Sequence, residues 1–319
     1  MRLALVYNPT DHKLSPDSYS WTYRSQFLAI QRRFECQHVI TDCDSSSIEA
    51  DAILFYDVHS SHHIIIRGIS KHPAVKFEYF NDPHQVPFSG FYKDGQPVRK
   101  LGDKERCQRA LDRGVNYIIC PYRDGFFRFL KPHLGTWGEK MLLWLPLAVD
   151  DRLFAFGETP LSKRKHEIIN NGHTTAGRYF PDYYEFRNWA AKQPHINDIK
   201  HNIMGSEAQR GSKYGMWLSQ YLGSLASCNY YPIPKYFEIP AAGCVPLVQH
   251  HIEYEDLGFT HGKNCLYVDK QNLNDICMAV KTSPAKYQHI ATAGRKHVLD
   301  NFTTEHFANK LHAFINKCR

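Results

Sequence analysis

The segment CNYYPIPKYFEIPAAGCVPLVQHHIEYEDLGFTHGKNCLYVD, residues 228–269, decides how the rest of the chain is interpreted. Pro232 and Pro234 exclude a central strand and fix an extended turn, because proline has no N–H and restricts the residue before it. After this turn, the sequence predicts a short helix that begins at Lys235 and closes with small residues. The apolar run Val245–Val248 then predicts a short buried strand.

The first turn of the predicted helix carries a cation, Lys235, and a carboxylate, Glu238. A helix N-terminus with free N–H groups favours anions, and a lysine beside it supplies a mobile charge for a phosphate. The carboxylate can accept hydrogen bonds from two hydroxyl groups at once. An ordinary helix-to-strand joint with a capping carboxylate explains the same residues equally well, so these residues alone leave both interpretations open.

The order and spacing of further motifs resemble the C-terminal domain of GT-B glycosyltransferases of the family 1 and 4 type, and most closely the group of spore-maturation-type enzymes. The motifs are the segments 235–248 and 261–269, Phe259, a predicted helix from Asn272, and the segment 293–299. The resemblance covers the C-terminal half well and the N-terminal half in outline. It implies an α/β protein of two Rossmann-like domains whose parallel sheets face each other across a cleft.

The same resemblance implies an enzyme that moves a sugar from a UDP- or GDP-sugar to a glycan or another hydroxyl acceptor, without an obligatory metal or other cofactor. In this family the equivalent of Glu238 holds the ribose hydroxyls, and a basic residue three positions earlier, here Lys235, lies near the diphosphate. Pro234 and Tyr236 are assigned to the same donor site. Many retaining members have a second glutamate eight positions before the first. Tyr230 stands there in this chain, so the contact to the donor sugar and the stereochemical class stay open.

Length and composition fit a globular protein of two ordinary domains, with 319 residues, 43% hydrophobic and 22% charged. The net charge of +7 suits phosphate-bearing ligands or an anionic surface, although many basic proteins bind neither. No apolar run approaches the roughly 20 residues of a membrane span, and the start of the chain does not resemble a signal peptide. The nine cysteines lack the spacing of a zinc or redox site, so we expect free thiols and a cytoplasmic location.

The interdomain crossing is predicted around Leu143–Asp150, with Phe154 completing the pattern found in GT-B enzymes. It divides the chain into an acceptor-binding domain at 1–153 and a donor-binding domain at 154–319. We expect the last helix, about 303–319, to cross back to the N-terminal domain.

In the N-terminal half, polar residues follow three predicted strands at the edge that faces the ligand crevice in an open α/β sheet. The candidates for a catalytic base or an acceptor contact are Asp82, His84 and His59. Asp82 is equally well explained as a cap before a proline turn. Asp42 and Asp44 imitate an Asp-x-Asp metal motif, but acidic residues are common after any strand, so no metal site is predicted.

In the C-terminal half, a glycine-rich loop follows a strand predicted at Glu167–Asn170. Two glycines permit close approach to a phosphate, and an arginine could pair with it, although a generic glycine turn is the alternative. The predicted donor-binding residues of this loop and of the next strand end are Gly172, His173, Arg178 and Ser206. The apolar residues from Tyr214 to Leu225 predict an amphipathic helix.

Two other functions stay open at this point. A GT-B fold also hosts sugar-nucleotide epimerases, which need no acceptor. A basic nucleic-acid-binding protein is the non-enzymatic alternative, but the basic residues are spread along the chain and are not gathered into a stripe with aromatic residues between them.

Overall fold

The structure, a computed structural model, describes residues 1–11, 13–15, 21–56, 64–83, 88–91, 97–172, 182, 184–199 and 211–318, without the side chains of 88–91, 97–100, 156 and 212. The chain forms two compact units. The first comprises Met1–Ser15, Phe27–Pro146 and Phe307–Arg319, and the second comprises Pro16–Gln26 and Leu147–His306.

The first unit is built around a six-stranded parallel sheet. The strands of this half of the chain are β1 Arg2–Val6, β2 Glu35–Val39, β3 Cys43–Asp44, β4 Ala52–Phe55, β5 Ile66–Arg67, β6 Val75–Tyr79, β7 Phe88–Phe91, β8 Pro97–Lys100, β9 Tyr117–Cys120 and β10 Leu142–Trp144. The helices are α1 Trp21–Arg33, α2 Asp103–Asp112, α3 Arg123–Gly125 and α4 Gly138–Met141, with a π-helical stretch at Phe126–Leu130. The large sheet has the order β10-β9-β6-β4-β1-β2, while β3 pairs with β5 and β7 with β8.

The second unit is built around a five-stranded parallel sheet with the order β12-β11-β13-β14-β15. Its strands are β11 Lys165–Asn171, β12 Ile196–Ile199, β13 Tyr221–Ala226, β14 Val245–Gln249 and β15 Leu266–Val268. Its helices are α5 Glu185–Ala190, α6 Tyr214–Leu218, α7 Lys235–Ala241, α8 Ile252–Asp256, α9 Leu273–Thr282 and α10 Pro284–Asn301, and α11 Thr304–Lys317 follows. Both large sheets are parallel, so the predicted α/β class is confirmed.

In each sheet the first strand of the unit lies inside the sheet and the second lies at the edge. The strand order therefore reverses next to the first strand, between β1 and β4 in the first unit and between β11 and β13 in the second. Ligands of open α/β sheets bind at the carboxyl ends of the strands beside such a reversal. In the second unit this point lies where β11 ends at Asn171 and β13 ends at Ala226.

One prediction about the elements is wrong. The helix predicted from Tyr214 to Leu225 ends at Leu218, and β13 begins at Tyr221. All six residues of β13 are buried, and a strand covered on both faces is as continuously apolar as a buried helix. In the first unit, the segment between β6 and α2 contains the antiparallel pair β7 and β8. The edge strand of the sheet in the second unit, next to β11, is β12.

Three further predictions concern the cysteines, membrane-spanning segments and the domain boundary. All nine cysteines lie in the described part of the chain and are free thiols, as predicted. No described helix is both long and apolar enough to cross a membrane. The division of the chain at residue 153 stays a prediction.

Candidate functional site

The candidate donor site of the second unit is organised by α7, whose position is fixed at both ends. Pro240 lies inside α7 and has no N–H for the carbonyl of Tyr236, and the hydroxyl of Tyr254 donates to that carbonyl instead, at 2.7 Å. At the C-terminal end, the Arg164 guanidinium donates to the carbonyl of Ala242 at 3.1 Å, and Arg295 donates to the carbonyl of Ala241. Cations at the C-terminus of a helix also complement its dipole.

The first turn of α7 is less open to an anion than its sequence predicts. The N–H groups of Tyr236, Phe237 and Glu238 donate to the carbonyls of Ile233 and Pro234 at 2.9 to 3.0 Å. These groups are therefore occupied by the preceding turn. The prediction that free N–H groups of this helix would hold an anion is wrong, and the positive charge at the site comes from side chains.

Two cations meet at Gly172, immediately after β11. A Cβ built on Gly172 would lie 3.0 Å from Nη1 of Arg187 and 3.1 Å from Cε of Lys235. The φ of Gly172 is +142°, a backbone conformation that favours glycine. Arg187, on α5, is only 2% exposed, and its Nη2 donates to the carbonyl of Ser227 at 3.0 Å. The glycine therefore allows a small ligand to approach both cations closely.

The Lys235 ammonium is held from one side by uncharged groups. Its Nζ donates to the hydroxyl of Tyr214 at 3.0 Å, and Nδ2 of Asn171 donates to the same hydroxyl at 3.1 Å. Burial lowers the pKa of Lys235 to about 7; Glu238 opposes this shift, and Arg187 adds to it. Burial also raises the pKa of Tyr214 well above its usual value, so the phenol stays neutral. A bound anion would add to the countercharge that Glu238 supplies to Lys235.

The Glu238 carboxylate lies one helical turn beyond Lys235. Its Oε1 accepts a hydrogen bond from the hydroxyl of Thr22 at 3.0 Å. Burial raises the pKa of Glu238, while Lys235 and the Thr22 hydroxyl lower it. The carboxylate lines a small pocket in the second unit, together with Trp21 and Tyr214. Because a carboxylate can accept about four hydrogen bonds, Glu238 has capacity for hydroxyl groups of a ligand.

The neighbours of these residues differ in their access to a ligand. Pro234 precedes α7 and is partly exposed. The Tyr236 side chain is fully buried, and its hydroxyl donates to the carbonyl of Gln249 at 2.9 Å. Tyr236 therefore packs in the core beneath the site. At the position of the second family glutamate, the Tyr230 hydroxyl donates to the carboxylate of Asp182.

In the first unit, Asp82 follows β6 and is held in an unusual conformation. Its φ of +46° is uncommon for a residue with a side chain and costs free energy. Its Oδ2 accepts from Nζ of the buried Lys13 at 3.1 Å and from Nδ2 of Asn81 at 3.0 Å. Arg106 fixes the same turn by donating to the carbonyl of Asn81 at 2.9 Å. Asp82 therefore lies just beyond the carboxyl end of β6, with its carboxylate paired to Lys13.

Several predicted residues cannot be placed. His59, His84, His173, Arg178 and Ser206 lie outside the described residues. Among the described residues, the site gains three side chains that the sequence reasoning missed, namely Thr22, Arg187 and Tyr214.

The carboxylates of the Asp-x-Asp pattern both bind backbone groups. Asp42 accepts from the N–H of Ile65 at 2.8 Å, and Asp44 accepts from the N–H of Ser46 at 3.0 Å. Asp44 caps the short helical turn that follows it, whereas Asp42 joins two segments that lie 23 positions apart in the sequence.

Comparison with known proteins agrees with the architecture of the molecule. Residues 162–313, a little less than half of the chain, match the model of a family described as glycosyl transferase-like. No curated protein matches the sequence significantly. Among solved structures, HepE of Anabaena in complex with UDP and glucose aligns with a TM-score of 0.56 and 10% identity, over 99% of this chain and 100% of that one.

Two further solved structures align over almost the whole chain. Sucrose-phosphate synthase of Thermosynechococcus elongatus gives a TM-score of 0.61 and 11% identity, over 100% of this chain and 99% of that one. An alpha-glucosyltransferase in complex with UDP and a 13-mer DNA gives 0.59 and 11%, over 99% of both chains. The chain has the GT-B fold. At these identities the likeness establishes the fold alone. The narrower grouping with spore-maturation-type enzymes stays a prediction.

Proposed function

We propose that the protein is a glycosyltransferase that moves a sugar from a nucleotide-diphosphate sugar, UDP- or GDP-linked, to a hydroxyl of a glycan or similar acceptor. One observation carries the proposal. The side chains of Arg187 and Lys235 come together at Gly172, where the strand order of the sheet reverses. Glu238 lies one helical turn beyond Lys235. The match of residues 162–313 to a glycosyl transferase-like family supports it, as do the UDP and UDP-glucose complexes of HepE.

In this proposal Glu238 binds the ribose. The carboxylate accepts hydrogen bonds from the two ribose hydroxyls, while Thr22 fixes the position of Oε1. Hydrogen bonds to a charged group contribute more than those between neutral groups, about 1.5 to 3 kcal/mol each. Glu238 would therefore make a large contribution to nucleotide affinity.

The diphosphate lies over Gly172, between Lys235 and Arg187. When the bond from the anomeric carbon to the phosphate oxygen breaks, its electron pair passes to the diphosphate, which gains negative charge. The two cations stabilise that charge without reorganisation, because their positions are fixed before the reaction. They perform the task of a divalent metal, so we expect transfer without one.

The acceptor hydroxyl forms the new bond to the anomeric carbon and loses its proton. If the reaction inverts the configuration, a base must take that proton, and Asp82, His84 and His59 stay the candidates. If it retains the configuration, the leaving diphosphate can take the proton.

The test measures binding of UDP, GDP, UDP-glucose and GDP-mannose by calorimetry, with EDTA and with Mg²⁺. We expect one nucleotide family to bind equally well under both conditions. Glu238→Ala should weaken that binding by about 100-fold, or ~3 kcal/mol. Glu255→Gln, at a half-exposed carboxylate of α8, is the control. If Glu238→Ala bound the nucleotide as tightly as the wild-type protein, Glu238 would not bind the ribose. If binding required Mg²⁺, the expectation of transfer without a metal would be wrong.

A product assay with the bound sugar nucleotide and candidate glycans then distinguishes transfer from epimerisation. Transfer consumes the acceptor and releases the nucleoside diphosphate, whereas an epimerase changes the sugar in the absence of an acceptor.

A further inference from the structure

The segment 122–141 of the first unit exposes an unusual set of side chains. Trp137 is 66% exposed and Phe127 is 40% exposed, whereas large apolar side chains of a globular protein are mostly buried. The opposite face of the same segment supplies the core, where Phe126, Leu130 and Leu134 are at most 2% exposed. The segment is therefore amphipathic and well anchored, so the exposure of its aromatic rings does not follow from loose packing.

Lys131 connects the Phe127 ring to the turn that carries Trp137. Its Nζ lies 5.5 Å from the centre of the Phe127 ring. The same ammonium is paired with Glu139. A Cβ built on Gly138, the residue after Trp137, would lie 3.1 Å from Cγ of Lys131. We call this surface, formed by Phe127, Arg128, Lys131, Trp137 and Lys140, the aromatic-basic patch.

The charge of this surface is positive. Residues 123–141 contain four cations, Arg123, Arg128, Lys131 and Lys140, and two carboxylates, Asp124 and Glu139, for a net charge of +2. Both carboxylates are paired with cations of the same segment, Asp124 with Arg123 and Glu139 with Lys131. Arg128 follows Phe127 directly and Lys140 lies three positions after Trp137, and both are exposed. An anionic partner is therefore favoured over a neutral one.

We propose that the aromatic-basic patch docks the protein on an anionic phospholipid surface. Exposed tryptophan and phenylalanine rings enter the boundary between headgroups and acyl chains, and lysine and arginine side chains beside them bind the anionic headgroups. The patch lies on short helical turns that present rings outward, and a bilayer accepts such a protruding surface. A nucleic-acid base or a sugar ring would stack on the face of an aromatic ring, and one face of Phe127 is already occupied by the Lys131 ammonium.

The test is flotation of the full-length protein with two kinds of vesicle, pure phosphatidylcholine and phosphatidylcholine containing a third of phosphatidylglycerol. We expect binding to the anionic vesicles only, with loss of binding at high salt. Trp137→Ser and Lys140→Glu should each lower the partition coefficient by about tenfold. The matched controls are Ile65→Ser, at an exposed apolar residue of the same unit, and Lys263→Glu, at an exposed lysine of the second unit.

A thermal unfolding transition like that of the wild-type protein shows that the fold of each variant is intact, and Trp137→Tyr should restore most of the binding. Absence of wild-type flotation with anionic vesicles would overturn the proposal, and so would equal flotation of the patch and control variants. Salt-sensitive binding of a single-stranded oligonucleotide that is lost in Trp137→Ser, without vesicle binding, would assign the patch to nucleic acid and also overturn it.

Discussion

Lys235 combines a positive charge with a site that disfavours it. Burial brings its pKa to about 7, so the ammonium of the ligand-free protein is half deprotonated near neutral pH. A diphosphate binds the protonated form. Between pH 6 and pH 8 the protonated fraction falls from about 90% to about 10%, so the affinity for UDP-glucose should fall about tenfold. Titration calorimetry across this range measures the effect, and UDP-glucose is suitable because its phosphates do not titrate there.

Lys235→Arg supplies the control for this prediction. An arginine keeps its charge at all accessible pH values, so the variant should bind UDP-glucose with little change between pH 6 and pH 8. The raised pKa of Glu238 predicts a second loss of affinity on the acid side, because the protonated carboxyl is a weaker acceptor. If the affinity of Lys235→Arg for UDP-glucose still fell about tenfold between pH 6 and pH 8, a group other than Lys235 would be responsible.

Thr22 should act through Glu238. Its hydroxyl bond to Oε1 at 3.0 Å both orients the carboxylate and lowers its pKa. Thr22→Val keeps the shape of the side chain but removes the donor, so nucleotide affinity should fall by about fivefold, or ~1 kcal/mol. The loss of nucleotide affinity at acidic pH should also begin at a higher pH. Thr22→Ser should restore both quantities, and a serine variant as weak as the valine variant would point to lost packing.

At the scale of the element, α7 is held against the chain that enters the second unit. Gly243 follows the helix with a φ of +67°, and a Cβ there would lie 1.9 Å from the carbonyl oxygen of Gly157. Arg164 donates to that same carbonyl at 2.9 Å. The backbone contact at Gly243 therefore sets the distance between α7 and the segment that precedes β11.

Gly243→Ala should destabilise the protein by about 3 kcal/mol or more, because the new methyl group must displace backbone. Gly262→Ala is the matched control. Gly262 also has a positive φ, +73°, but nothing lies within 4 Å of its added Cβ, so about 1 kcal/mol is expected. Urea unfolding measures both values. Equal losses in the two variants would show that the close contact relaxes without strain.

The sequence was sufficient for α7 because local rules decide that element. Two prolines precede it, and the helix begins at Lys235 and ends among small residues, as predicted. The sequence was insufficient for the segment from Tyr214 to Ala226, where helix α6 and strand β13 share one continuous apolar pattern. Only the pairing of β13 between β11 and β14 decides in favour of the strand there.

The same distinction holds for the site residues. Lys235 and Glu238 share one helical turn, so their proximity follows from local spacing. Arg187 reaches Gly172 only because the end of β11 and helix α5 meet in the folded unit. Thr22 meets Glu238 across 216 positions of sequence. No local pattern marks either residue.

At the scale of the whole molecule, the C-terminal helix belongs to a different unit from the donor residues. Residues 307–319 are part of the first unit, where Phe314 packs edge to face on Tyr117, with ring centres 4.9 Å apart. Leu311 of the same helix is fully buried. The chain thus completes the core of its first unit only after the whole second unit has been made, which gives that core many contacts between distant parts of the sequence.

Leu311→Ala should therefore weaken the first unit specifically. Loss of a fully buried leucine costs about 3 kcal/mol, and hydrogen exchange should rise in the strands from β1 to β10 more than in β11 to β15. Nucleotide affinity at 20 °C should stay unchanged, because Thr22, Gly172, Arg187, Lys235 and Glu238 all belong to the second unit. Val280→Ala removes a fully buried side chain from the core of the second unit, and it should raise exchange in β11 to β15 instead. Equal increases in both sheets from either variant would show that the two units unfold as one.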